Sequence, residues 1–267
     1  MSITDSFRKI EEICSENHVG TPYLVGGIPR DIFLNRESDF RDIDVTTNTP
    51  DITRLAVSFG IETDSYFKVF PDKHIAVYHE DSTFDFSSNF ISEGVEGYLK
   101  DNSIAYSNDL LEVYSRDFTI NTLHKRFFED DLIDPIGVAK DDLELRTVRT
   151  CAPAEITLSD DPRRIFRAIN FASRLNFSID SKIIEYVRSN QSEIIHNNRD
   201  SLKESFISSI ISSSISEDAD ATIGHLEDMG ILSTVPLVGL FKNELIKRRL
   251  VARYLDNLKE FGPLHAI

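Results

Sequence analysis

Apolar and polar positions follow two patterns along this chain, and one gives way to the other near residue 150. Residues 3–17 carry apolar side chains at helical spacing, which predicts an amphipathic helix. Residues 23–149 then show short apolar runs separated by turns, which predict strands at 23–25, 43–46, 74–78 and 83–86. The polar segment 89–109 has no periodicity, and we predict a mobile loop there.

After residue 150 the strand signals disappear, and helical spacing returns at 160–175, 181–189, 201–212, 218–230 and 241–261. Ser201 and Glu204 have the capping-box spacing of a helix start, and Gly230 is typical of a helix stop. The sequence therefore predicts an α+β fold. A small mixed β-sheet with flanking helices occupies residues 1–150, and an all-α part follows in residues 151–267.

The first predicted strand ends in a pair of glycines, Gly26 and Gly27. Pro29 follows them and is compatible with the first turn of a helix, where its missing N–H removes no bond. Because glycine has no Cβ atom, a phosphate can approach the backbone amides at such a turn. Arg30 lies one turn further on. Together these residues predict a site for a triphosphate.

Two carboxylates, Asp42 and Asp44, flank the apolar Ile43 in the second predicted strand. The strand period of two puts both carboxylates on one face. Mg²⁺ is bound by one or two carboxylates together with substrate phosphates, so the pair predicts a metal site. An Asp-x-Asp triplet arises roughly twice by chance in such an aspartate-rich chain, so the triplet is informative only because it lies on a predicted strand near a glycine turn. The second triplet, at 218–220, lacks a strand or glycine turn and serves as an internal control.

Composition limits the class of protein. The chain has 267 residues, of which 40% are hydrophobic and 28% charged, and these values are typical of soluble globular proteins. No apolar run approaches the roughly 20 residues of a membrane helix, and the first residues do not resemble a signal peptide. The lack of such a run predicts no membrane partner. Cys14 and Cys151 lack C-x-x-C spacing, which predicts reduced thiols in a cytoplasmic protein without structural zinc.

The net charge of −16 argues against a broad basic surface that coats nucleic acid. It does not exclude RNA, because binding needs only a local positive track. Basic residues cluster on two predicted helices, at Arg163, Arg164, Arg167 and Arg174, and at Lys242, Lys247, Arg248, Arg249 and Arg253. For the second cluster, a solvated helix face is a slightly better explanation than an RNA track.

Three further motifs follow in order. Residues 116–121 read Arg-Asp-Phe-Thr-Ile-Asn, and residues 134–137 form an Asp-Pro turn followed by a charged element at 142–146. Residues 160–168 open the first long helix with Asp-Asp-Pro-Arg-Arg. A helix cap, a tight turn or a surface ion pair would explain each motif taken alone.

Taken in order, the motifs resemble the class II nucleotidyltransferases, the family of CCA-adding tRNA nucleotidyltransferases and bacterial poly(A) polymerases. The resemblance covers residues 23–184 well and 201–237 more faintly. It implies a nucleotidyltransferase head at 1–150, a helical neck with a base-reading helix at 151–200, and a short helical body at 201–267. Family members commonly continue into a tail that grips tRNA, so we expect a truncated body and a reduced RNA anchor.

The resemblance implies a role for each motif. Asp42 and Asp44 would hold two Mg²⁺ ions, one at the RNA 3′-hydroxyl and one at the triphosphate. Asp85 matches the family's third acidic residue, although an ordinary strand aspartate facing water is an equal alternative. The implied nucleotide-binding residues are Gly26, Gly27, Arg30, Arg116, Asp117, Asn121, Asp161, Arg164 and Arg167.

In the family, a carboxylate and an arginine read the edge of the incoming base. Asp161 and Arg164 match that pair, and their spacing of three places them on one face of the predicted helix. An aspartate that accepts from an exocyclic amine and an arginine that donates to a ring acceptor suit C and A, and disfavour G and U. The resemblance thus implies addition of C and A from CTP and ATP to the 3′ end of tRNA or another RNA.

Several departures from the family pattern leave alternatives open. Ser115 stands where the family usually has an arginine, Asn170 where it often has arginine or glutamine, and residues 89–90 read Asn-Phe instead of Phe-Arg. An A-adding enzyme or poly(A) polymerase shares the same motifs. A nucleotide- or RNA-binding protein with little turnover and a transferase that acts on a protein or small RNA are further alternatives.

Overall fold

The computed structural model describes residues 2–37, 40–47, 52–70, 74–87, 91–104, 107–197 and 202–232. The chain divides into two compact units, one ending at Glu144 and the other beginning at Leu145. Within the described residues, no helix is long and apolar enough to cross a membrane. Both cysteines are buried free thiols.

The first unit contains a mixed β-sheet with helices around it. Its helices are α1 (Ile3–Asn17), α2 (Gly27–Phe33), α3 (Ile52–Glu62), α4 (Val95–Asp101), α5 (Asn108–Ser115) and α6 (Ala139–Glu144). Its strands are β1 (Pro22–Leu24), β2 (Asp42–Thr47), β3 (Tyr66–Val69), β4 (Ile75–His79), β5 (Ser82–Phe86), β6 (His124–Lys125) and β7 (Leu132–Ile133). The sheet order is β3-β4-β5-β2-β1-β6-β7. Only the β2–β5 pair is parallel among these neighbours.

The core of this unit lies on one face of the sheet, under α1 and α3. Phe7 and Ile10 of α1 and Phe59 of α3 meet the strand residues Ile43 and Phe84 there, all of them buried. The opposite face of β2 is left with its polar side chains, because successive residues of a strand point to opposite faces. Burial of the core therefore fixes which side of the sheet carries the chemistry.

The second unit is helical apart from one short strand pair. Its elements are β8 (Thr147–Val148), α7 (Ala154–Asp160), α8 (Arg163–Leu175), β9 (Ser178–Ile179), α9 (Ser181–Asn197), α10 (Glu204–Glu217) and α11 (Ala219–Asp228). Helix α8 packs against α10 and α11, and α9 is kinked at Asn190. The Ser173 and Thr222 hydroxyls share a buried hydrogen bond of 2.9 Å that joins α8 to α11.

The structure confirms the α+β class, the helix α1 and, within one residue at each end, the four predicted strands. Two predictions were wrong. The segment 89–109 contains α4 and the start of α5, because Val95 and Leu99 are buried one turn apart in a helix too short to show a period. The part after residue 150 is not wholly helical, since β9 pairs with β8.

Some predicted helix features differ or cannot be compared. Helix α10 begins at Glu204 after Lys203, which makes no side-chain cap, and Ser201 lies outside the described residues. Helix α11 begins at Ala219 and ends at Asp228, close to the prediction of 218–230. The predicted helix at 241–261, with its basic cluster, lies outside the described residues, as do residues 89 and 90.

Candidate active site

The glycine turn joins β1 to α2 and lies against the second carboxylate of β2. Gly26 has φ 72° and ψ −127°, a conformation that residues with a side chain rarely adopt. A Cβ atom on Gly26 would lie 2.3 Å from Asp44 Oδ2, so a side chain here would collide with the carboxylate. A Cβ on Gly27 would meet only the Arg30 Nη2 atom, at 3.5 Å. The close approach to Asp44 therefore requires glycine at position 26.

The two carboxylates alternate with core residues along β2, as predicted. Ile43 and Val45 are fully buried in the core, whereas Asp42 is exposed and Asp44 half-buried. The alternation places both carboxylates on the face away from α1 and α3. The backbone of this strand is tied to the glycine turn, because the Val25 amide donates to the Asp44 carbonyl at 3.1 Å.

Asp85 lies on the neighbouring strand β5, paired with Asp44 in the parallel register. Burial raises the pKa of its carboxyl, and the negative charge of Asp42 raises it further, while His74 lowers it. In the part of the chain that the structure describes, no group of three or more His, Cys, Asp or Glu side chains is arranged to hold a metal. The carboxylate pair Asp42 and Asp44 still fits Mg²⁺, which takes its remaining ligands from substrate phosphates and water.

The run at 116–121 contacts the glycine turn from the other side. Its residues Thr119–Asn121 form a single 3₁₀ turn. The Gly26 amide donates to the Asn121 carbonyl at 3.2 Å, and Arg30 Nη1 donates to Asn121 Oδ1 at 2.9 Å. Asn121 Nδ2 donates in turn to Asp117 Oδ1 at 3.3 Å, which also accepts from the Phe118 amide. Four predicted nucleotide-binding residues are therefore linked to one another.

Arg116 forms an ion pair with a residue of α5, whereas the adjacent Asp117 is hydrogen-bonded to Asn121. Arg116 Nη2 donates to Glu112 Oε1 at 2.7 Å, one helical turn earlier in α5. Burial raises the pKa of Glu112, and the Arg116 guanidinium opposes that rise. Both side chains of this ion pair are nearly buried, so Arg116 is held in one orientation. Sequence reasoning did not single out Glu112.

Glu112 also lines a cavity of about 190 Å³ that includes Tyr23 of β1 and His124 of β6. The His124 Nδ1 lies 2.8 Å from the Thr122 carbonyl, which can only accept, so Nδ1 carries the proton of the neutral ring. Burial, reinforced by the positive charge of Arg116, lowers the pKa of His124 to about 4. The cavity was not predicted, because its lining comes from segments far apart in the sequence.

The predicted base-reading residues belong to the second unit, and one structural argument about them was wrong. Asp161 does not lie on α8 with Arg164; it follows α7 in an extended conformation, with φ −142° and ψ 96°. The reason is Pro162, whose ring disfavours a helical conformation at the preceding residue. The helical spacing of three therefore does not apply to this pair.

The side chains of Asp161, Arg164 and Arg167 each contact another group of the protein. Both oxygens of Asp161 accept from the Arg163 guanidinium, at 2.8 and 2.9 Å, and Oδ1 also accepts from the Arg163 amide. Arg164 is only 7% exposed and donates from Nη1 to the Thr157 carbonyl at 3.2 Å. Arg167 is exposed and lies over the Phe171 ring at 5.5 Å.

Two of the three departures from the motif pattern, Ser115 and Asn170, lie in the described part of the chain, and both have internal partners. Ser115 is buried; its hydroxyl donates to the Leu111 carbonyl at 2.6 Å and accepts from the Ser92 amide at 2.9 Å. Asn170 Nδ2 donates to Ser214 Oγ at 3.0 Å, which joins α8 to α10. An arginine at 115 would need room that this buried position does not provide.

The second Asp-x-Asp triplet, at residues 218–220, caps a helix. Asp218 Oδ1 accepts from the Ala221 amide at 2.9 Å and begins α11, and Asp220 is exposed in its first turn. The second aspartate triplet therefore has a structural explanation. Of the two triplets, only the one at 42–44 lies on a strand beside a glycine turn.

Comparison with known proteins gives a consistent result. Residues 22–149 match the family described as the poly A polymerase head domain. A CCA-adding enzyme of Geobacillus sp. (strain WCH70) is 30% identical over 183 residues, covering 68% of this chain and 43% of that enzyme. A mitochondrial CCA tRNA nucleotidyltransferase of Candida glabrata is 27% identical over 193 residues, covering 66% and 36%.

Solved structures share the fold. The Bacillus stearothermophilus CCA-adding enzyme in complex with CTP gives a TM-score of 0.67 at 20% identity, covering 95% of this chain and 58% of that one. The Thermotoga maritima CCA-adding enzyme complexed with tRNA gives 0.58 at 19% identity, covering 98% and 66%. The sequence matches above span 43% and 36% of the curated relatives' lengths, so this chain is similar to less than half of each.

Proposed function

We propose a function from one premise: this chain belongs to the class II nucleotidyltransferase family. The proposed reaction adds C and A residues from CTP and ATP to tRNA 3′ ends without a nucleic-acid template, and releases pyrophosphate. The observation that carries the proposal is the pair Asp42 and Asp44 on the face of β2 away from α1 and α3, with Gly26 packed against the second carboxylate. The CCA-adding relatives, and their complexes with CTP and tRNA, support the choice of substrates.

The proposed metal is Mg²⁺, and Asp42 and Asp44 would hold it. When bound, it would activate the RNA 3′-hydroxyl and neutralise the triphosphate and the departing pyrophosphate. The protein's own part is positioning, since two carboxylates on a strand anchored in the core keep their separation. Asp85, which is paired with Asp44 in the parallel register, is proposed as the third acidic residue of the catalytic site.

Selection of the base is proposed to rest on Asp161 and Arg164. Arg164 is nearly buried and donates from one nitrogen to the Thr157 carbonyl, so its planar guanidinium is held in a fixed orientation. A carboxylate at Asp161 would accept from the exocyclic amine of C or A. Since Arg163 donates to both Asp161 oxygens, an incoming base competes with Arg163 for this carboxylate.

The proposal extends to the remaining features of the chain. We place the nucleotidyltransferase head at residues 1–150, the neck at 151–200 and the body at 201–267. Arg116 and Asp117 are proposed to lie near the sugar and phosphates of the nucleotide, and Arg167 beside the base. The free thiols of Cys14 and Cys151 support a cytoplasmic setting.

The test is nucleotide addition to a tRNA that lacks its CCA end, with Mg²⁺ and CTP alone, ATP alone, or both. We expect one or two C residues with CTP and a complete CCA end with both nucleotides. Long A tails would instead identify a poly(A) polymerase. Nucleotide binding without incorporation into any RNA would identify a binding protein and contradict the proposal.

The matched variants use the two aspartate triplets. We expect Asp42→Asn with Asp44→Asn to abolish transfer while far-UV circular dichroism stays unchanged. The control is Asp218→Asn with Asp220→Asn, because asparagine caps a helix as well as aspartate does. If the first double variant transfers nucleotide at the wild-type rate, the proposed metal site is wrong.

A further inference from the structure

We infer that aromatic side chains of β3 and β4 form a stacking platform for the single-stranded 3′ end of an RNA substrate. The platform consists of two ring pairs, Tyr66 with Tyr78 and Phe70 with His74, together with Lys68. The proposed function enters at one point, because Asp42 and Asp44 are taken as the place where the RNA 3′-hydroxyl reacts. None of the sequence motifs includes the platform residues.

The strand register places the platform on the same face of the sheet as the two carboxylates. Residues directly opposite each other in neighbouring strands point to the same face. One row of such partners consists of Tyr66, Tyr78, Thr83 and Asp42. The next row consists of Lys68, Ala76, Asp85 and Asp44. The platform and the carboxylates therefore lie on one side of the sheet, away from α1 and α3.

The rings of the platform are paired with each other and remain accessible. Tyr66 and Tyr78 are 69% and 43% exposed, and their stacked rings have centroids 5.6 Å apart. At the other end of the two strands, the Phe70 amide donates to the His74 carbonyl, and their rings stack at 4.0 Å. The exposed Lys68 places its ammonium group 4.5 Å from the Phe70 ring centroid. Accessible rings beside a cation are typical of surfaces on which bases stack and phosphates are neutralised.

The spacing of the strands determines how far the platform is from the metal site. Tyr78 is two strands away from Asp42 and Tyr66 is three, in the order β3-β4-β5-β2. At about 4.8 Å per strand, these separations are about 10 and about 14 Å. Stacked nucleotides follow one another at about 3.4 Å, so the rings lie roughly three and four nucleotides from the reacting end. An RNA whose 3′-hydroxyl lies at the carboxylates thus places its preceding bases at the platform.

Stacking, more than charge, would hold the RNA at this surface. The chain has a net charge of −16, and the exposed Glu80 and Asp81 in the turn after β4 add negative charge beside Tyr78. Base–aromatic stacking tolerates any base, because every base has a π-face. Such tolerance suits an RNA end whose sequence changes each time a nucleotide is added.

The experiment measures binding of fluorescently labelled RNA hairpins by anisotropy, with Mg²⁺ and without nucleotide. One hairpin is blunt, and the other carries four unpaired nucleotides at its 3′ end. We expect wild type to bind the second hairpin more tightly. Tyr66→Val with Tyr78→Val should weaken that binding roughly 5- to 100-fold and leave the blunt hairpin unaffected. Valine is used because it preserves the strand propensity of both positions.

Two controls separate stacking from other effects. Tyr66→Phe with Tyr78→Phe keeps both rings and should bind the unpaired end like wild type. Phe128→Val removes another exposed ring, which lies 6.0 Å from the Arg8 guanidinium of α1, and should also bind like wild type. In the transfer reaction, the double valine variant should raise KM for the RNA and leave KM for CTP unchanged.

A purely structural role of the tyrosine pair makes a different prediction. Cross-strand aromatic pairs stabilise a sheet, so the double valine variant would have a lower Tm but would bind the unpaired end like wild type. Because β3 is an edge strand, the rings could instead join two copies of the chain. Sedimentation would then show a dimer that the valine variant loses, with RNA binding unchanged. Either result would overturn the inference.

The binding measurement also separates this inference from the proposed function. If wild type transfers no nucleotide, loss of affinity for the unpaired end in the valine variant still supports the platform. If wild type transfers nucleotide and the valine variant keeps its affinity and its KM for RNA, the platform is wrong and the proposed function stands. Tyr66→Val, at the more exposed position, decides the question alone if the double variant does not fold.

Discussion

The glycine turn beside Asp44 and the start of α8 carry the two parts of the proposed chemistry, and they are built in opposite ways. At the turn, Arg30 and Asn121 meet across 91 positions of sequence inside the protein. At α8, Asp161 is held by Arg163, two positions away, and Arg163 is 51% exposed. The first arrangement fixes a side chain through tertiary contacts. The second is a local ion pair of the kind that contributes only about 0–1 kcal/mol.

This difference matches what each part is proposed to do. A metal-binding carboxylate must keep one position throughout the reaction, so a buried network around it is useful. A base-reading carboxylate must accept a new partner with each nucleotide, so its resting partner has to leave easily. Two results would contradict this contrast. One is a substitution at the glycine turn that leaves nucleotide transfer unchanged, and the other is a loss of nucleotide binding when the Asp161–Arg163 ion pair is removed.

The largest effect is expected for Gly26→Ala. The new Cβ would overlap Asp44 Oδ2, and the backbone at φ 72° and ψ −127° is strained for alanine. We expect nucleotide transfer to fall by more than about 100-fold, because a small displacement of a reacting group costs that much. Strain should also lower the free energy of unfolding by about 1–3 kcal/mol, measured by urea denaturation.

Two other glycines serve as controls for this prediction. Gly137 has φ 71° but nothing within 4 Å of its Cβ position, so Gly137→Ala adds strain without a collision. Gly97, inside α4, has an open Cβ position, and Gly97→Ala should stabilise the protein by about 0.5–1 kcal/mol. Transfer by either control should equal that of wild type. A fully active Gly26→Ala protein would contradict the picture of a fixed turn.

The buried construction of the first unit also predicts a pH dependence. The pKa of His124 is about 4 in the folded protein, against 6.5 for a free histidine, because the ring is buried and Arg116 is near. Between these values the unfolded chain binds a proton that the folded protein does not, so stability falls as the pH is lowered from 6.5 to 4. The loss attributable to His124 is on the order of 3 kcal/mol.

The measurement is urea unfolding of wild type and His124→Asn at pH 7, 5.5 and 4.5. Asparagine can still donate to the Thr122 carbonyl, so the variant removes mainly the titration. We expect the difference in unfolding free energy between the two proteins to shift in favour of the variant as the pH falls. An unchanged difference for His124→Asn would mean that folding does not lower the pKa of this ring.

The sequence was sufficient to predict those features of the two regions that depend only on residues adjacent in the chain. The alternation of Asp42 and Asp44 with Ile43 was readable from the strand period, and the structure has it. The break before α8 also has a local cause, because Pro162 disfavours a helical conformation at Asp161, and the helical spacing does not reflect this. The strand period thus predicts the positions of Asp42 and Asp44, and the effect of proline on the preceding residue accounts for the extended conformation of Asp161.

The network around the turn could not be predicted in the same way. Nothing at Asn121 alone indicates that its carbonyl meets the Gly26 amide, because that contact depends on how the sheet brings β1 and the 3₁₀ turn together. The pairing of Arg116 with Glu112 follows helical spacing, yet no helix was predicted at residues 108–115. Burial, which raises or lowers the pKa values here, is likewise a tertiary property.

The smallest effect is expected for Arg163→Leu, which removes the resting partner of Asp161. Because the pair is exposed, the free energy of unfolding should change by less than about 1 kcal/mol. Freed from this competitor, Asp161 should bind the incoming base more readily, and KM for CTP and ATP should fall by up to about fivefold. Arg174→Leu, in the last turn of the same helix, removes an exposed arginine that is not bonded to Asp161 and should leave KM unchanged. A higher KM in Arg163→Leu would show instead that Arg163 holds Asp161 in its reading position, and the proposed contrast between the fixed turn and the exchangeable pair would be lost.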